Sequence, residues 1–112
     1  MKNTSTRRPG SNRHARRTVA AVERLEDLPN VGPAVAGDFR QLGIAAPTDL
    51  RGRDPYGMYE DLCRLTGTRH DPCLLDTFIA VVRFVEGGLD KPWWKYTVER
   101  KRELAARSSQ KR

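Results

Sequence analysis

Between Val19 and Leu28 every third residue is apolar: Val19, Val22, Leu25 and Leu28. That spacing lays them on one stripe of a helix beginning near Thr18. Pro29 ends it, because the residue before a proline avoids the helical region. Pro33 suits the first turn of a second helix, where its missing N–H is no loss. This helix turns Val35, Phe39 and Leu42 toward a core and stops at Gly43. Pro47 opens a helical turn through Leu50. Asp54 then caps a longer helix with Pro55 at its first position. Met58, Tyr59, Leu62 and Leu65 give it an apolar side, and Gly67 closes it. Asp71 and Pro72 repeat the start signal. The helix after them is the most apolar in the chain, with Leu74, Leu75, Phe78, Ile79, Val82 and Val85 at helical spacing and Val81 and Phe84 widening the face. Gly87 and Gly88 end it, and Pro92 starts a last helix in which Glu103 and Arg107 stand in the favourable i,i+4 order.

No segment alternates as a strand does. The pattern predicts an all-α chain of five to six short helices. At 112 residues it forms one domain, because a second core would leave each too few residues. The domain is expected over 19–107, with a basic arm at 1–18 and a short basic tail at 108–112. The arm, MKNTSTRRPGSNRHARR and Thr18, is too polar to bury surface against its ordering entropy and is expected to be disordered. It reads as a solubilising tail or as an arm lying on nucleic acid. No apolar stretch follows it, so it is no secretory signal. It suits a transit peptide in composition but lacks an amphipathic face. No apolar run approaches the ~18–20 residues of a membrane span, and a cytoplasmic protein is the expectation.

Charge divides the chain in three. Residues 1–24 carry seven basic and one acidic residue, net +6; residues 25–90 carry six and eleven, net −5; residues 91–112 carry eight and two, net +6. The total is +7, with an acidic centre between basic ends. A nucleic-acid face would have to be assembled from those ends.

The stretch LPNVGPAVA, residues 28–36, is the sharpest local signal. The first N–H groups of a helix lack internal partners, and its dipole makes that end positive, so a phosphate docked there satisfies both. Gly32 lets the backbone approach closely. Asn30, Gly32, Ala34 and Val35 are therefore the candidate phosphate-binding residues, with N–H donors at Gly32, Ala34 and Val35. Arg51, Arg53 and Arg64 extend such a surface, or pair with Asp49, Asp54, Glu60 and Asp61. Lys91 and Lys95 flank Trp93, Trp94 and Tyr96, a mixture that stacks bases and contacts phosphates, although one or both tryptophans can instead cap the core.

Cys63, His70 and Cys73 form C-x6-H-x2-C without the paired spacing of structural zinc sites, and no metal is expected. Without a secretory signal, Cys63 and Cys73 are expected reduced. Cys73 in a first helical turn suits thiolate chemistry, with Cys63 as a resolving thiol; Asp71 and Asp76 oppose it. No nucleotide loop and no serine–histidine–aspartate set is present, so no enzyme is expected.

Leu25 to Leu42 resembles the helix-hairpin-helix motif, of SAM-like helical architecture. Asn30 stands where its first glycine is expected, and Ala34 where a lysine often holds DNA. The resemblance implies a monovalent cation at the carbonyls of Glu26, Leu28 and Val31. Four ordered blocks, LPNVGPAVAGDFRQLGI, PTDLRGRDPYGMYEDLC, TGTRHDPCLLDTF and KPWWKYTVER, resemble the bacterial pathogenicity-locus family, whose members are labelled mitomycin resistance proteins. That label points to DNA, which mitomycin cross-links. The resemblance implies a small non-enzymatic DNA-binding or DNA-repair accessory module making phosphate contacts without sequence specificity. A protein-interaction module is the alternative, favoured by the acidic centre, and a thiol-based stress protein is a third.

Overall fold

A computed structural model describes residues 22–110. In order they form a 3₁₀ turn at Leu25–Asp27, helix α1 at Pro33–Gln41, a 3₁₀ turn at Pro47–Leu50, α2 at Pro55–Thr66, α3 at Pro72–Val85, a 3₁₀ turn at Trp93–Tyr96 and α4 at Thr97–Gln110. The all-α class holds, with four α-helices instead of five to six, and no strand among the described residues. The expected arm, residues 1–18, lies outside the described residues.

The helix expected from Thr18 to Leu28 is where the structure departs most. Val22 to Arg24 are not helical, and Leu25–Asp27 is a single 3₁₀ turn closed by Leu28 N–H to Leu25 O at 3.1 Å. Over its described residues, 22–28, the first arm of the expected hairpin is thus a tight turn in place of an α-helix. A strict spacing of three is the 3₁₀ period, in which i and i+3 eclipse, and Pro29 holds Leu28 extended at ψ 145°. Val22, Leu25 and Leu28 of the expected stripe are buried, as is Val31, although no described residue before Pro33 is α-helical; Val19 and the expected helix start at Thr18 lie outside the described residues.

The other starts follow local chemistry. The Asp54 carboxylate accepts the Tyr56 N–H at 3.1 Å and the Asp71 carboxylate accepts the Cys73 N–H at 2.8 Å, each ahead of a proline at the first helical position. Gly43, Gly67 and Gly87 end their helices with positive φ. The core centres on α3, where Leu75, Phe78, Ile79, Val81, Val82, Phe84 and Val85 are buried and Phe78 meets Phe39 of α1 at 5.2 Å between ring centroids. α2 buries Tyr56 and Cys63 beside Met58, Tyr59 and Leu62, while Leu65, expected inside, is exposed.

The last helix docks through a polar lock that the hydrophobic pattern does not show. Asp76, in the middle of α3, is fully buried. Its carboxylate accepts the Thr97 hydroxyl at 2.7 Å and the Arg100 Nε–H at 2.7 Å. Buried charge is tolerated only when paired and hydrogen-bonded, and α4 supplies both partners one turn apart.

Candidate nucleic-acid interface

Asn30 is the one residue other than glycine with positive φ, at 70°, among the described residues. Asn tolerates this left-handed conformation better than most side chains, and it reverses the chain between the Leu25–Asp27 turn and α1. The arms of the turn are tied by an ion pair: Arg40 on α1 donates to both oxygens of Glu26, at 2.8 and 3.0 Å. These bonds lower the Glu26 pKa to about 2.

The same construction occurs twice. Asn30, Val31, Gly32 and Pro33 lead into α1; Gly52 (φ 77°), Arg53, Asp54 and Pro55 lead into α2. A 3₁₀ turn precedes each, and a left-handed residue stands two positions before each N-cap. The two copies differ at the cap. Asp54 closes the start of α2 with its own carboxylate and meets Arg107 at 3.4 Å, and Asp71 closes α3 in the same way. Gly32 has no side chain to close α1. The N–H groups of Ala34 and Val35 fall in its first turn, where helices have no internal acceptor. Gly32 is extended (φ −101°), and a Cβ built on it meets nothing within 4 Å. Neither backbone strain nor packing inside the protein requires a glycine there.

The Asn30 side chain does a second thing. Its Nδ2 donates to the Lys91 carbonyl at 2.8 Å, and its Oδ1 accepts the Trp93 N–H at 3.2 Å. The carboxamide pairs with this backbone as a neighbouring strand would. At the other end of the same loop, the Gly52 N–H donates to Glu86 Oε2 at 2.9 Å. One loop, 86–93, is therefore held at its start by the turn bearing Arg51 and Arg53 and at its end by the turn bearing Asn30. Four of the five predicted supporting cations, Arg51, Arg53, Lys91 and Lys95, surround or follow that loop. The fifth, Arg64, is on α2 and pairs with Asp61. Arg51 and Arg53 form no salt bridge among the described residues. Asp49 instead accepts the N–H groups of Ala45 and Ala46, and Glu60 takes Arg69. The Lys91 ammonium lies 5.0 Å from the Tyr96 ring centroid.

The two tryptophans are placed differently. Trp93 packs against the core, and Trp94 is exposed, its ring edge-to-face with Trp93 at 5.6 Å.

Other candidates separate. Of the carbonyls implied for a cation, that of Leu28 accepts the Val31 N–H at 3.2 Å and that of Glu26 lies in a 3₁₀ turn. Cys63 is buried and Cys73 exposed, and no cluster of three His, Cys, Asp or Glu side chains among the described residues could hold a metal ion. The Asp71 carboxylate beside Cys73 pushes its thiol pKa up, against thiolate chemistry. A groove of about 670 Å³ beside α2 and α4 is lined by Tyr56, Tyr59, Arg69 and Arg107. Of the guanidiniums that line it, Arg69 pairs with Glu60, Arg107 with Glu103 and Asp54, and Arg64 with Asp61.

Fold and site define a small all-α domain in which the start of α1 carries no side-chain cap, tied through Asn30 to a loop bordered by cations and tryptophans. The chain belongs to the pathogenicity-locus family: the Cdd1 family model matches residues 18–102. It is 49% identical over 81 residues to the mitomycin resistance protein McrB of Streptomyces lavendulae, covering 72% of this chain and 77% of that protein. No solved structure matches the chain. Among the described residues no helix is long and apolar enough to cross a membrane.

Proposed function

We propose that this protein is a non-enzymatic DNA-binding module that seats a backbone phosphate at the start of α1, without sequence specificity, as an accessory to DNA protection or repair. The observation that carries the reading is the bare Gly32 cap, which differs from the carboxylate-filled caps of α2 and α3 and has open space where a side chain would stand. A phosphate there gains unpaired N–H donors and the positive end of the helix dipole. Asn30, two residues before that cap, holds the backbone of Lys91 and Trp93, so the start of the basic segment 91–112 is tied to the same turn.

The acidic centre is a weaker objection than its formal charge suggests. At least eight of its eleven carboxylates hold partners inside the domain, among them Glu26, Asp49, Asp54, Glu60, Asp61, Asp71, Asp76 and Glu86. The mitomycin resistance of the named relative suits a protein working at DNA.

The test is a titration of the full chain against a labelled duplex at low and moderate salt. Binding is expected at low salt and falls steeply with added salt, because phosphate contacts release counterions. Gly32→Ala should keep its stability within about 1 kcal/mol, since its φ suits any residue. It should bind about threefold to tenfold more weakly, because the methyl stands the phosphate off and forfeits about 1 kcal/mol of helix-terminus attraction. No binding at either salt concentration would sink the reading. Binding that Gly32→Ala leaves untouched would move it away from this turn.

A further inference from the structure

Trp94 is 59% exposed, an unusual position for an indole in a domain with so little core. It is not a loose side chain. Its ring stands at 86° to Trp93, whose own ring is seated on the core and whose N–H is held by Asn30. The exposed ring is thus braced from beneath by a fixed one. Lys91 and Lys95 flank it and are exposed, and Val98, one turn on, is exposed as well. Residues 91–112 carry net +6. The Asn30 clamp ends one residue before Trp94, so the residue bearing the indole follows directly on backbone tied to the turn whose cap is bare.

We propose that Trp94 is a base-stacking platform, and that this protein prefers DNA carrying unpaired bases, as in single strands, gaps and flaps. The inference rests on the DNA reading above and names its substrate class. An exposed aromatic ring set among cations is the arrangement that holds single strands, because every base has a π-face and every linkage a charge. In an intact duplex the base faces are already stacked on one another, and the indole has nothing to cover. The phosphate at α1 fixes the backbone, and Trp94 receives the neighbouring base.

The experiment titrates the full chain against three labelled oligonucleotides of equal length: a single strand, a duplex, and a single strand with abasic sites along its centre. The single strand should bind about tenfold more tightly than the duplex, and the abasic strand should lose most of that advantage. Trp94→Ala should weaken single-strand binding about fivefold to a hundredfold and duplex binding by less than about twofold, with Trp94→Phe recovering most of the loss. Equal wild-type binding of normal and abasic strands overturns the inference without any variant. So does an equal loss on strand and duplex in Trp94→Ala, or a fall in its sedimenting mass, which would assign the indole to contact with a second copy. Absence of binding to all three oligonucleotides takes down the DNA reading itself; duplex binding without base dependence takes down only this inference.

Discussion

At φ 70° the Asn30 backbone occupies a region that costs an ordinary side chain about 1–2 kcal/mol. Its carboxamide meanwhile holds the backbone of Lys91 and Trp93. The two roles separate by substitution. Asn30→Gly keeps the turn and loses the clamp, and should cost about 1–2 kcal/mol for two hydrogen bonds. Asn30→Ala loses both and should cost about 1 kcal/mol more. Urea midpoints measure the difference, and equal midpoints for the two variants would refute the strain argument. The left-handed conformation was legible in the sequence, because Asn stands where the hairpin family has glycine. The clamp was not, because its partners lie 61 and 63 residues away and are backbone atoms. The same limit applied to Arg51, Arg53 and Arg64. All three had nearby acids as default partners, and only Arg64 took one.

At the scale of elements, helix starts were read correctly wherever the signal is local. Asp54-Pro55 and Asp71-Pro72 cap their helices as their spacing implies, since N-cap, donor and proline lie within three positions. The first arm misled because apolar residues three apart fit an α-helix loosely and a 3₁₀ turn closely. The docking of α4 was hidden. A lone acid in the apolar run of α3, with a threonine and an arginine three apart in the next helix, is the signal that could have shown it. The Arg100 side chain is 12% exposed and that of Asp76 0%, so breaking the pair leaves a buried charge. Arg100→Met should cost about 3–5 kcal/mol. The double variant Asp76→Leu/Arg100→Met should recover most of it, because an apolar pair no longer needs compensation. Chemical denaturation checks both, and a single variant costing under about 1 kcal/mol would show that α4 docks by other means.

At the scale of the molecule, charge and site belong to different parts of the chain. Residues 1–18 carry six basic and no acidic side chains, so removing them takes the net charge from +7 to +1. The truncated chain should bind DNA more weakly. Its slope of log affinity against log salt should flatten by as much as about five, at ~0.9 for each phosphate that the arm no longer neutralises. The weakening caused by Gly32→Ala should persist in the truncated chain. Should it vanish there, the arm alone carries the affinity and the turn does not bind.

The sequence by itself determined the helical class, the starts of α1, α2 and α3, the position of the core helix and the left-handed bend at Asn30. Each depends on residues within about one turn of one another, where spacing, capping and φ preference act directly. The tertiary structure decided the rest: that Asp76 is locked by α4, that Trp93 goes in while Trp94 stays out, and that the backbone of Lys91 is tied to the turn at Asn30. These depend on which distant segments touch, and a local pattern of apolar and polar residues holds no record of that.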